Sequence, residues 1–140
     1  MRLWHKDLIP VLPRKQLLAQ WRELCCIAKN ISTKGTPNHL LVNKVLNYHV
    51  SHFIVYSDLI LHEMRERNYR VSTQSYLNFS NNMNSIINKF NNESTPCLGY
   101  NDLFKGWHND RYFNQCYSNL EEKYDCGGIP EDEWIKVYEM

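Results

Sequence analysis

Leu12-Pro13-Arg14-Lys15-Gln16-Leu17-Leu18-Ala19-Gln20-Trp21-Arg22-Glu23-Leu24-Cys25-Cys26 is the stretch from which the fold is read. Pro13 suits the first turn of a helix, where the backbone N–H groups have no intrahelical partners to lose. Leu17, Trp21, Leu24 and Ala28 then recur at helical spacing and form one apolar stripe. At roughly 100° per residue, Lys15, Ala19, Arg22, Glu23, Cys26 and Lys29 gather on the opposite face. That face holds three cations and a single carboxylate. Two readings stand side by side: a solvated face with weak i,i+4 pairing, or a phosphate-receiving face with one acid for proton transfer.

The 140 residues suffice for one domain with its own core. Nine Tyr, five Phe and four Trp argue against disorder. No apolar run approaches the ~20 residues of a membrane span, and the start Met1-Arg2-Leu3-Trp4-His5-Lys6 does not resemble a signal peptide. Five Cys, two of them the adjacent Cys25-Cys26, fit a reducing compartment better than a disulfide scaffold, so a cytoplasmic protein is expected. The formal net charge of +1 conceals an asymmetry. Residues 1–50 carry eight Lys/Arg against Asp7 and Glu23, whereas residues 51–140 carry eight against thirteen acids. The basic half suits a polyanionic partner.

Residues 1–11 read as an extended arm, bracketed by Pro10 and Pro13 and folded against the first helix, which should end near Asn30 before the loop 32–37. A second helix is expected over 39–67, with Val42, Leu46, His49, Phe53, Tyr56, Ile60 and Met64 on one stripe and Arg65, Arg67 and Arg70 at its C-terminal end. His49, His52 and His62 lack a partner Cys or carboxylate at ligand spacing, so they read as core or boundary residues, and no metal or cofactor is expected. The Asn-rich segment 71–96 predicts a short helix over about 80–91 between loops. A third main helix over 109–124 turns Tyr112, Phe113, Cys116, Tyr117 and Leu120 inward and stops at Gly127-Gly128. The tail 130–138 predicts a short helix, its acids first as the dipole favours. Nothing alternates as a strand would. The expectation is an all-α, single compact domain over 1–140: three main helices plus short helical segments, with the N-terminal arm on the first.

The chain resembles the pyrimidine-dimer DNA glycosylases of the phage endonuclease V type, and small bacterial members of that superfamily beginning Met-Arg-Leu-Trp-His. The resemblance rests on the early Arg2, on Gln16-Leu17-Leu18-Ala19-Gln20-Trp21-Arg22-Glu23-Leu24, and on Arg65-x-Arg67-Asn68-Tyr69-Arg70-Val71. Leu120-Glu121-Glu122-Lys123 and the tail Trp134-x-Lys136-x-Tyr138 add to it. Where the family carries a His, an Arg and a second Arg, this chain carries Gln16, Cys26 and Asn119.

The resemblance implies a DNA repair glycosylase with coupled abasic-site lyase activity. The N-terminal amine, here that of Met1, is the nucleophile and forms an imine with the sugar; Glu23 is the essential carboxylate. Arg2, Arg22 and Lys123 match positions that contact DNA or order the site. Lys15, Lys29 and Lys136 extend the same basic surface, and a trough around Glu23 lined by Arg2, Arg22 and Lys29 is the expected geometry. The implied partner is double-stranded DNA with damaged or abasic sites, with no membrane and no protein partner. The alternative is a non-catalytic nucleic-acid-binding helical domain that keeps the fold without the chemistry; a purely structural helical protein is a third reading. For the tail aromatics, core packing stands beside base stacking.

Overall fold

The computed structural model describes residues 2–34, 39–90 and 98–140. Within them the chain is all-α, and no strand occurs among the described residues. The first helix, α1, spans Arg14–Lys34. Pro13 stands one residue outside it, and its carbonyl accepts the first helical bond from the Leu17 N–H at 3.0 Å. The expected stripe is buried, and Ile27 and Ile31 extend it. The helix runs beyond Asn30, with the Thr33 hydroxyl bonded back to the Lys29 carbonyl at 2.8 Å. The remainder of the expected loop, 35–37, lies outside the described residues, as do 91–97.

The arm departs from the extended expectation. Residues 2–5 belong to no helix or strand; Lys6–Val11 form a 3-10 helix with the ring of His5 accepting from the Asp7 N–H at 3.1 Å. The expected second helix is two: α2, Leu40–Leu46, and α3, Val50–Glu66. His49 takes an extended conformation and its ring nitrogen accepts from the Ser51 N–H at 3.1 Å, restarting the helix. The apolar period runs across this break because a cap changes direction without changing the spacing of buried positions. At the far end Asn68, at φ 60°, supplies a left-handed turn, with Tyr69 N–H bonded to the Met64 carbonyl and Asn68 N–H to that of Arg65. This is the 6→1, 5→2 pairing of a helix C-terminus. The Arg67 guanidinium beside it bonds the carbonyls of Leu12, Ile9 and Pro10 at 2.6, 3.2 and 3.1 Å, tying the arm's helix to α3.

The Asn-rich segment is the largest departure. Helix α4 spans Thr73–Phe90, starting seven residues earlier than expected, with the Ser72 carbonyl taking the Tyr76 N–H. Phe79, Met83 and Ile86 are buried, with the Phe79 ring 5.0 Å from Trp21 and 6.1 Å from Phe53. Asn78, Asn81, Asn84 and Asn88 are exposed on the other sides. Burial against α1 and α3 outweighs the modest helix penalty of each Asn. After a 3-10 turn at Tyr100–Asp102, α5 spans Asp110–Asp125, capped by the Asn109 side chain and ended at Gly127, whose φ of 81° an L side chain rarely adopts. Helix α6, Glu131–Tyr138, follows. Glu133 accepts the Arg14 N–H at 2.8 Å, setting a carboxylate at the positive end of α1. Trp134 is buried with its ring stacked 5.0 Å from Tyr124, so it packs in the core; Tyr138 is 70% exposed.

Candidate active site

Residues 2–4 lie along α1, and one side chain holds them there. Gln20 is fully buried, and its amide is used at every position. Its nitrogen donates to the Arg2 carbonyl at 2.8 Å and to Glu23 Oε2 at 3.2 Å. Its oxygen accepts the Trp4 N–H at 2.8 Å. The single proton of Tyr56 on α3 is shared between the Trp4 carbonyl at 2.6 Å and Gln20 Oε1 at 3.0 Å. Burial, foremost, keeps that phenol protonated far above the ordinary tyrosine range. From the other side, Tyr112 on α5 donates to the Leu3 carbonyl.

Glu23 lies against this arrangement. It is half-buried and accepts two hydrogen bonds on Oε2, from Gln20 and from the Arg2 backbone N–H at 3.3 Å. No Lys or Arg side chain of the described residues forms an ion pair with it. A carboxylate held by neutral donors keeps an oxygen free for further contacts, since each oxygen has two lone pairs.

Among the described residues the histidines do not converge on a metal site. His49 caps α3, His52 accepts the Phe104 N–H at 3.0 Å, and His62 is exposed beside Glu66. Two others support the arm. The buried His108 ring accepts the Lys6 N–H at 3.0 Å and stacks on His5 at 5.1 Å. Burial, with His5 and Lys6 adding to it, pushes the pKa of His108 down to about 3. The buried Lys6 ammonium donates to the carbonyls of Tyr100 at 2.6 Å and Leu103 at 3.1 Å.

The other expected site residues are distributed as follows. Met1 lies outside the described residues. Lys15, Arg22 and Lys29 are exposed on α1, Lys123 is exposed in the last turn of α5, and Lys136 is exposed on α6. Arg2 does not join Arg22 and Lys29 in a trough. Its guanidinium turns the other way, donating to Cys116 Sγ on α5 at 3.7 Å and lying 5.4 Å from the Trp4 ring centroid. There it lines an open groove with Lys44 and Arg111 instead. The sequence reading missed Gln20, Tyr56 and Tyr112 as site-building residues. The available signal was a Gln between Leu17 and Leu24, inside an otherwise apolar stripe.

A family model described as pyrimidine dimer DNA glycosylase matches residues 1–77, more than half of the 140. The chain belongs to that family. The match takes in the arm, α1, α2, α3 and the opening of α4, and therefore Arg2, Gln20, Glu23 and Tyr56 together. Membership makes DNA the substrate class and base-excision repair the general activity. No curated protein and no solved structure matches the chain. No helix among the described residues is long and apolar enough to cross a membrane.

Proposed function

We propose that this family member is a glycosylase with coupled abasic-site lyase activity, with the Met1 amine as nucleophile and Glu23 as the acid that moves protons. One observation carries the reading: the only carboxylate on the outward face of α1 accepts a hydrogen bond from the amide of Arg2, the residue covalently attached to Met1. In a family that acts on DNA, this joins the start of the chain to one acid through a buried clamp.

The chemistry follows from the groups. An α-amine titrates at about 8, so a usable fraction is unprotonated near neutrality. Its nitrogen attacks C1′ of the damaged nucleotide, the glycosidic bond breaks, and the base departs with the bond's electron pair and takes a proton from water. The nitrogen then gives up a proton to O4′ as the C1′–O4′ bond breaks, opening the ring to a 4′-hydroxyl and a cationic imine. Glu23, held on one oxygen by Gln20 and the Arg2 amide, faces that positive charge and takes a proton from C2′. The C3′–O bond breaks in the same elimination and water later releases the amine. Arg2, Lys15, Arg22, Lys29, Lys123 and Lys136 supply the positive surface for phosphates. Access to C1′ requires a kinked duplex or an extruded nucleotide.

Borohydride trapping on an abasic-site duplex tests the assignment. Wild-type protein with a free amine gives a covalent adduct, acetylation of the α-amine abolishes it, and Glu23→Gln prevents strand cleavage without unfolding the protein. Absence of an adduct from folded protein, with the amine verified by intact mass, refutes the lyase assignment. Salt-sensitive DNA binding that Glu23→Gln leaves intact, still without an adduct, identifies a binding module.

A further inference from the structure

The groove that the Arg2 side chain enters comes from parts of the chain that carry no motif. Leu40 and Lys44 of α2 form one wall, Arg111 and Gln115 of α5 the other, and Trp107 with Tyr112 the floor, enclosing about 510 Å³. A second open cavity of about 610 Å³ continues along α5 and shares Arg111 and Gln115 with the first. The first cavity is lined by three cations and no acid. Lys44 Nζ sits 5.9 Å from the Trp107 ring centroid, and neither Lys44 nor Arg111 forms an ion pair among the described residues.

The shape suits a polymer. Arg111, Gln115, Ser118 and Glu122 all line the second cavity and, at i, i+4, i+7 and i+11, share one face of α5. At 1.5 Å per residue, that face is about 16 Å long. A nucleic-acid strand advances about 3.4 Å per nucleotide, so the run matches four to five nucleotides, with Glu122 marking its end. Arg2 links the trough to the acid: its guanidinium lines one and its amide N–H binds the other.

We propose that the α2–α5 trough is the track for the DNA strand flanking the reacting nucleotide, with Lys44 and Arg111 each neutralising one phosphate. This rests on the repair-enzyme reading above.

The test is fluorescence anisotropy on a duplex carrying a tetrahydrofuran abasic analogue, measured from 50 to 200 mM salt. Each lost phosphate contact lowers the slope of log K against log salt by about 0.9. The Lys44→Gln/Arg111→Gln double variant is expected to lose close to two from the slope and to bind roughly tenfold or more weakly at 50 mM salt, with an unchanged melting temperature. Lys105→Gln, exposed but outside the trough lining, leaves both values unchanged. A double variant with wild-type affinity and slope overturns the trough, as does wild-type protein that prefers single-stranded RNA or fails to bind the duplex. Borohydride trapping keeps the two claims apart. An adduct together with an unaltered slope sinks the trough alone, whereas a lost slope without any wild-type adduct supports the trough and sinks the lyase chemistry.

Discussion

Replacing Gln20 by Glu changes one NH₂ to an oxygen and almost nothing in shape. In the wild type that nitrogen donates to two acceptors, the Arg2 carbonyl at 2.8 Å and Glu23 Oε2 at 3.2 Å. The variant turns an ionised oxygen toward both. Leaving a buried polar group unpaired costs about 1–3 kcal/mol, and here two are affected. Repulsion from Glu23 and complete burial both raise the new carboxyl's pKa in the folded state above its unfolded value of about 4.3, each unit being worth about 1.4 kcal/mol. The penalty from that shift is therefore absent below about pH 4.3, grows as pH rises, and is complete above the folded-state pKa. At pH 8 the loss should reach about 3–5 kcal/mol, or roughly 12–20 °C in melting temperature at about 4 °C per kcal/mol. Once protonated, the new carboxyl has one O–H for two acceptors and recovers part of the loss. Thermal melts of both proteins from pH 4.5 to 8 test this, because the difference between them cancels ionisations they share. Gln20→Leu provides the control: it has no titrating group, removes the two bonds that Nε2 donates together with the two that Oε1 accepts, and should show a loss independent of pH. A Gln20→Glu gap that stays constant with pH, or falls below about 1 kcal/mol at pH 8, would refute the clamp geometry.

Arg67→Met should cost about 2–4 kcal/mol, because it removes a charged donor from three carbonyls of the arm and leaves Glu63 without its partner at 2.9 Å; chemical denaturation measures it. His108, with its pKa pushed down to about 3 by burial, makes the fold acid-sensitive. Its contribution is intact above the unfolded value of about 6.5 and lost as pH falls toward 3, amounting to a few kcal/mol. In His108→Gln, which keeps an acceptor for the Lys6 N–H, the decline of melting temperature between pH 6.5 and 4 should be shallower; an identical decline would assign the acid sensitivity elsewhere. Gly127→Ala should destabilise by about 1 kcal/mol in the same melts, because Ala must adopt a φ of 81° there even though its methyl meets no neighbour.

What could be read from the chain beforehand followed the range of the interactions concerned. The stripe Leu17, Trp21, Leu24, Ala28 and the stop at Gly127 are local patterns, and both stand. The break at His49 escaped because a cap competes with helix continuation over a few atoms while the apolar spacing runs on unbroken. The early start of α4 escaped because Asn composition registers propensity, whereas Phe79, Met83 and Ile86 register burial, and burial dominates once α1 and α3 are in place. Glu23 stood out in sequence because it is alone among cations. Its actual partners are a neutral amide three residues away and a backbone N–H far off in sequence, neither of which charge patterning can reveal. The trough residues Lys44, Trp107 and Arg111 come from separate segments, and only the folded chain brings them together.

The family match ends at residue 77, yet the arm that it contains is not held by those residues alone. Gln20 and Tyr56 fix Arg2 and Trp4 from the matched half. Tyr112 fixes Leu3, and His108 fixes Lys6, from the other. The Lys6 ammonium adds two carbonyls of the loop before α5. Successive residues of the arm are thus gripped from both halves, so its position depends on the docking of α5 as much as on α1. Glu23 inherits that dependence, because one of its two hydrogen bonds comes from the arm's own backbone. A carboxylate anchored in this way is set by the entire fold, whereas an acid paired with a neighbouring lysine would be set by one helix. The short, local Arg22-Glu23-Leu24 motif thus takes the geometry of its acid from α1, through Gln20, and from an arm that the unmatched half also holds.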